Sequence, residues 1–187
     1  MNRYHIILAS KSPRRQELLK GLDVDFEVHV KEGIDESYPD DIEAEQVPVY
    51  ISRKKAAAYE ITSGNMLITA DTVVVADGEI LGKPKDAAQA AAMLHKLSGK
   101  THTVTTGVTM KTCDRQVSFP VTTKVTFRQL TDEEINYYIT NYKPFDKAGA
   151  YGVQEWIGYV AVTRLEGSYY NVMGLPVQRI YEELKNF

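Results

Sequence analysis

Apolar runs and amphipathic stretches follow one another in a regular order along the chain. Tyr4 to Leu8 is a compact apolar run and predicts a buried strand. Ser12-Pro13 follows; Ser12 suits a helix N-cap, Pro13 the first turn, and Gly21 a stop after Lys20. Val24 to Val30 alternates as a second strand, and the acidic stretch from Lys31 to Asp41 reads as a loop. Val47 to Ile61 predicts a helix ended before Ser63-Gly64. Met66 to Ala76 is strongly β-like, Asp77-Gly78 signals a hairpin turn, and Glu79 to Leu81 is the short return strand. Asp86 caps an alanine-rich helix to Leu97. Thr101 to Lys111 and Val117 to Gln129 alternate as the two arms of a long hairpin. Thr131-Asp132-Glu133-Glu134 is a capping box for a helix to Asn141. Val160 to Arg164 predicts a strand, and Gly174-Leu175-Pro176 leads into a last helix to Lys185.

Helices alternate with strands early and strands pair antiparallel later, which predicts a mixed α/β (α+β) fold. Residues 1–187 read as one domain, or two small lobes whose boundary no linker, repeat or low-complexity tract marks. Composition narrows the partners. With 22 basic and 25 acidic residues the chain is mildly acidic, so no nucleic-acid partner is expected. A small anionic substrate needs only a local cluster of cations. Cys113 is the one cysteine, which excludes an intrachain disulfide and a cysteine metal cage and suits a cytoplasmic setting. No apolar run reaches membrane-spanning length, and none reads as a signal peptide.

Five places carry candidate chemistry. Ala9-Ser10-Lys11-Ser12-Pro13-Arg14-Arg15 sets hydroxyls and cations between a buried strand and a helix start, where free N–H groups favour an anion. A solvated helix start would look the same. Asp71 breaks an apolar β-run; a carboxylate there is paired, metal-bound or at a cleft edge, and can orient water for attack on phosphorus. A paired structural aspartate is the alternative. Asp35 or Glu36, in an acidic loop, can complete a magnesium site with Asp71, or merely be solvated. Lys54, Lys55, Lys83 and Lys147 lie at element ends, and Lys83 stands in a tight Gly-Lys-Pro connection. In Ala148 to Gln154, small residues permit close approach, Tyr151 can stack on a base, and the Gln154 amide can read a base edge. A tight turn packed under an aromatic fits that stretch too. His5, His29, His95 and His102 are scattered without metal-ligand spacing.

Taken together, these segments resemble the Maf family of nucleoside triphosphate pyrophosphatases. The matching stretches are Leu8-Ala9-Ser10-Lys11-Ser12-Pro13-Arg14-Arg15 with Glu17-Leu18-Leu19, Ile34-Asp35-Glu36, Arg53-Lys54-Lys55-Ala56, and Ala70-Asp71-Thr72-Val73-Val74. Leu81-Gly82-Lys83-Pro84, Lys147 to Gln154, and Asn171-Val172-Met173-Gly174-Leu175-Pro176 complete the order over nearly the whole chain. The resemblance implies a two-lobed mixed α/β fold with a cleft between the lobes, a homodimer, and hydrolysis of the α–β phosphate anhydride with magnesium or manganese. It implies Asp71 as general base, Lys55 and Lys83 on phosphates, and Arg14, Thr72 and Gln154 in substrate choice. Ser10, Arg14, Lys55 and helix N–H groups would hold the triphosphate, and Lys83 and Arg15 would offset charge as pyrophosphate leaves. Asp-Thr-Val-Val with Ala-Tyr-Gly-Val-Gln is similar to the branch acting on dTTP and UTP. Lys11 departs from the small residue many members carry, and adds a charge by the phosphate loop. The same chemistry on a modified purine nucleotide, and a nucleotide-binding regulator of cell division, remain alternatives.

Overall fold

The computed structural model describes residues 3–187. Its elements run β1 (His5–Leu8), α1 (Pro13–Lys20), β2 (Phe26–Val28), α2 (Val47–Ala57), β3 (Asn65–Ala76), β4 (Glu79–Leu81) and α3 (Ala87–Leu97). They continue as β5 (Thr101–Lys111), β6 (Gln116–Phe127), α4 (Asp132–Tyr142), a 3-10 turn (Ala148–Ala150), α5 (Trp156–Ala161), β7 (Val162–Glu166), α6 (Tyr169–Met173) and α7 (Val177–Asn186). The strands form one mixed sheet ordered β2-β1-β3-β5-β6-β7, with β4 paired to β3. The mixed α/β expectation therefore holds.

The chain divides into two compact units. One takes the residues up to Asp71, with Thr106–Val121 and Gly174–Phe187; the other takes Thr72–Thr105 and Thr122–Met173. Three of the divisions fall inside β3, β5 and β6, and the fourth falls at the end of α6, in its short connection to α7.

In the first unit β1 pairs in parallel with both β2 and β3. Crossovers between parallel strands need a long connection, here supplied by α1 and α2. The predicted second strand shortens to Phe26–Val28, because it finds partners only along Ile6–Leu8 of a short neighbour. Helix α2 lies so close to β5 that a Cβ on Gly107 would stand 2.2 Å from the Val49 nitrogen. It ends at Ala57, short of the predicted Ile61, where lysines from elsewhere take carbonyls of its last turn and of the residues just beyond. Lys111 Nζ donates to Ala56 O and Tyr59 O, and Lys31 Nζ to Ala58 O.

In the second unit, α3 and α4 bury Ala90, Leu94, Leu97, Ile135 and Tyr138 in a core with Val125, Phe127 and Ile157. Asp86 caps α3, and Thr131 with Glu134 forms the predicted capping box of α4. Arg128 braces Glu134 at 2.7 Å. The predicted strand at Val160 to Arg164 begins two residues later, because α5 takes the apolar run before it. Helix α6 is also absent from the sequence reading; at five residues it is too short to show a helical period. Among the described residues no helix is long and apolar enough to cross a membrane.

Candidate active site

The β1–α1 connection starts beside β3, where the Ala9 N–H donates to Ile68 O at 2.9 Å. Ser10 is buried, and its hydroxyl accepts from the Ser12 N–H at 3.2 Å. Its carbonyl is held by Gln16 Nε2 at 3.1 Å. Ser12 is the N-cap of α1, accepting from the Arg15 N–H, and Pro13 occupies the first turn. Helix α1 thus opens with its N–H groups beside a rigid, hydroxyl-lined connection.

Arg15 ties that helix to the strand carrying Asp71. Its Nη1 donates to Ala70 O at 2.9 Å and its Nε to Gly174 O at 2.8 Å. Burial lowers the pKa of its guanidinium, the Asp71 carboxylate raises it, neighbouring Arg14 lowers it and Glu36 raises it. Arginine stays protonated throughout. Four predicted residues, Arg14, Arg15, Glu36 and Asp71, therefore share one electrostatic neighbourhood.

Lys55 joins them. Its Nζ stands 2.9 Å from Asp71 Oδ1 and 3.0 Å from Glu36 Oε1, so one ammonium is held between two carboxylates. The Lys55 and Asp71 side chains are 15% and 16% exposed, and Glu36 is 55% exposed. A half-buried pair with one open partner stays electrostatically strong yet accessible. Asp35 lies differently. Its Oδ2 takes Lys54 Nζ at 2.8 Å and Ser37 Oγ at 2.6 Å, and its Oδ1 takes the Ser37 N–H at 2.9 Å. Among the described residues, no group of three or more His, Cys, Asp or Glu is placed to hold a metal ion. The set Asp71, Glu36 and Asp35 is thus not assembled as a three-carboxylate cage; Asp71 and Glu36 come together, and Asp35 faces the neighbouring lysine.

In the second unit, Thr72 directly follows Asp71, and both are partly exposed in a mostly buried strand. Lys83 is exposed on its turn after β4 and pairs with no carboxylate among the described residues. That turn meets the loop before α5, where the Gly149 N–H donates to Gly82 O at 3.1 Å. Gly149 and Ala150 both have positive φ, 68° and 59°, which sharpens the loop. Gln154 follows, and its Oε1 is buried without a hydrogen-bond partner among the described residues. A buried acceptor left open costs free energy unless a ligand supplies the donor.

A family model described as "Maf-like protein" matches residues 5–187. The chain belongs to the Maf-like family. It is 56% identical to a protein from Parabacteroides distasonis named "dTTP/UTP pyrophosphatase", over 100% of this chain and 98% of that one. It is 57% identical to a protein of the same name from Phocaeicola vulgatus, over 99% of this chain and 97% of the other. Among solved structures, "The structure of the Staphylococcus aureus Ham1 protein" aligns with a TM-score of 0.56 at 16% identity, over 97% of this chain and 98% of that one. That likeness shows the fold.

Three further arrangements complete this part of the Maf-like chain. Tyr151 is buried, with its ring edge-on to His102 and Phe127 and its hydroxyl 2.7 Å from His102 Nε2. It packs the loop from beneath and is no base platform, the outcome foreshadowed by the aromatic-under-a-turn alternative. Lys147 is buried, and its ammonium is 2.8 Å from Asp146 and 3.0 Å from Glu155. Tyr138 donates to Glu155 and accepts from the Gly152 N–H. Tyr138 and Glu155 are far apart in sequence and lie on different elements, so spacing gave no signal of the network.

Proposed function

We propose that this chain hydrolyses dTTP and UTP to the nucleoside monophosphate and pyrophosphate. The observation that carries the reading is the Lys55 ammonium, held by Asp71 at 2.9 Å and Glu36 at 3.0 Å in the electrostatic neighbourhood of Arg14 and Arg15. Cations, an N–H-rich helix start and a semi-buried carboxylate are what phosphoryl transfer requires: anchors for charge and a base for water. The names of the relatives supply the substrate class.

Ser10, Arg14, Lys55 and the first N–H groups of α1 bind the triphosphate. Asp71 accepts the proton of the attacking water as its oxygen bonds to the α-phosphorus. The bond from that phosphorus to the bridging oxygen breaks, and pyrophosphate departs with the electron pair. Arg15 and Lys83 offset the charge on the leaving group. Magnesium binds through one or two carboxylates plus substrate phosphates, and the hard oxygens of Asp71 and Glu36 fit that habit. Those two residues would hold a magnesium or manganese ion, which supplies neutralisation of phosphate oxygens. Thr72 and Gln154 serve base choice. The open Gln154 Oε1 suits the imide N–H that uracil and thymine share and cytosine lacks. A homodimer and a cytoplasmic setting belong to the same proposal, on the family resemblance.

The test incubates purified protein and magnesium with dTTP, UTP, CTP, GTP and 7-methyl-GTP, and resolves the products. Monophosphate and pyrophosphate from dTTP and UTP alone are expected. Turnover of 7-methyl-GTP instead would discard the pyrimidine assignment and keep the chemistry. No turnover with either magnesium or manganese would favour a nucleotide-binding regulator.

A further inference from the structure

Glu36 is an exposed side chain on a loop without regular structure, yet it meets Lys55 at 3.0 Å. Something must place it. The loop lies along α2 and is fastened at successive points. The Lys31 N–H donates to the Tyr59 hydroxyl at 2.8 Å, and Ile34 packs on the cluster of Ala56, Tyr59 and Leu67. Then two neighbours on the loop, Asp35 and Glu36, meet two neighbours on the helix, Lys54 and Lys55.

The two grips differ in kind. Glu36 makes one contact with a lysine that Asp71 shares. Asp35 is enclosed. Both its oxygens accept from Ser37, closing a tight turn around Glu36, and Oδ2 also takes Lys54. Lys54 completes the ring by donating to Ser37 O at 2.9 Å and approaching Ser37 Oγ at 3.4 Å. The same bonds from Lys54 and Ser37 hold the Asp35 carboxyl well below the usual carboxylate range. Residues 35 and 37 are thus fixed on either side of residue 36, and both to one ammonium.

We propose that Asp35, Ser37 and Lys54 form a positioning clamp that sets Glu36 against Lys55 and Asp71, and that Asp35 is not a metal ligand. This rests on the pyrophosphatase reading of the Glu36, Lys55 and Asp71 group. A solvent-exposed ion pair contributes little to folding. Loss of the clamp therefore shows in turnover while the melting temperature stays near the wild-type value.

The experiment measures kcat and KM for dTTP in Asp35→Ala, Asp35→Asn and Lys54→Met, each also in a Glu36→Ala background, with a crystal structure of Asp35→Ala. Asp35→Ala and Lys54→Met are expected to lower kcat about tenfold with little change in KM, since small misplacements of a positioned group are costly. Asp35→Asn keeps the Oδ1 acceptor for the Ser37 N–H but puts an NH2 donor where Oδ2 took Lys54, and is expected to restore only part of the loss. In the Glu36→Ala background the clamp substitutions should have no further effect, the non-additivity of residues acting through one another. In the crystal, Glu36 should leave Lys55. An equal fall in both backgrounds, unchanged kcat, or a rise in the manganese concentration needed for half-maximal rate that recurs in the Glu36→Ala background would overturn the clamp. So would a Glu36 that stays on Lys55, whatever the activity. A wild-type protein that does not cleave dTTP would sink the pyrophosphatase reading, and the crystal would still decide the placement of Glu36.

Discussion

Asp71 and Gln154 illustrate two ways in which a single side chain announces a task. Asp71 sits in a mostly buried strand and is held by Lys55, so its carboxylate is positioned but still reachable. Replacing it by Asn keeps the shape and removes the base. Asp71→Asn is expected to lower kcat by about a hundredfold or more, as general-base catalysis usually contributes that much. Near-normal pyrophosphate release by the variant would reassign the base. Gln154 works by what it lacks, because its buried Oε1 accepts nothing from the described residues. Gln154→Ala should cost about ten- to a hundredfold in kcat/KM for dTTP and UTP, the loss of a buried hydrogen bond at a specificity position. An unchanged dTTP-to-CTP ratio of kcat/KM in that variant would detach Gln154 from base choice. At this scale much of the first unit's group was legible: Ser10, Arg14, Arg15, Lys55 and Asp71 were named from residue type and local context. Asp35 and Glu36 were not separable, since adjacent acids in a loop look alike until their partners are seen. The contact between Tyr151 and His102 escaped for the same reason, because it joins β5 to a distant loop.

The elements were legible where local chemistry decides them and illegible where a neighbour does. The caps of α1, α3 and α4 lie in four-residue windows and were all present as expected. The end of α2 was set instead by Lys31 and Lys111, and the length of β2 by β1, neither of which a local window contains. The division of the chain escaped too, because three of its four crossings pass through β3, β5 and β6, where no linker marks them. Gly107 shows how strongly one element depends on another. A methyl there would meet main chain, 2.2 Å from Val49 N and 2.3 Å from Pro48 C, so no flexible side chain can yield. Gly107→Ala is expected to destabilise by about 1–3 kcal/mol, as overpacking does. It should also lower kcat/KM for dTTP, because the displaced helix carries Lys54 and Lys55. Urea unfolding and turnover measured on one sample check both parts, and full stability would mean that α2 shifts freely on β5.

For the whole molecule, the expected response to acid follows from His102. Its ring is buried between Phe127 and Tyr151, and burial pushes its pKa down from 6.5 to about 4. Among the described residues Nδ1 has no hydrogen-bond partner and Nε2 meets the Tyr151 hydroxyl, so no carboxylate there answers an imidazolium. The unfolded chain takes up a proton near pH 6.5, while the folded one resists until about pH 4. Stability from the neutral ring is therefore complete above the unfolded pKa and is lost as pH falls from about 6.5 toward 4. Between pH 7.5 and 4.5 the linkage amounts to about 2–3 kcal/mol. Carboxylates held below their usual range also lose stability in acid, so the wild type alone does not isolate the histidine. His102→Phe does: it keeps an aromatic ring in the slot, orphans the Tyr151 hydroxyl at every pH alike, and removes the titration. Urea unfolding of both proteins at the two pH values should show the wild type losing about 2–3 kcal/mol more than His102→Phe. Equal losses would mean that the folded protein accepts the proton on His102, and that the aromatic packing beneath the Gln154 loop opens before the molecule unfolds.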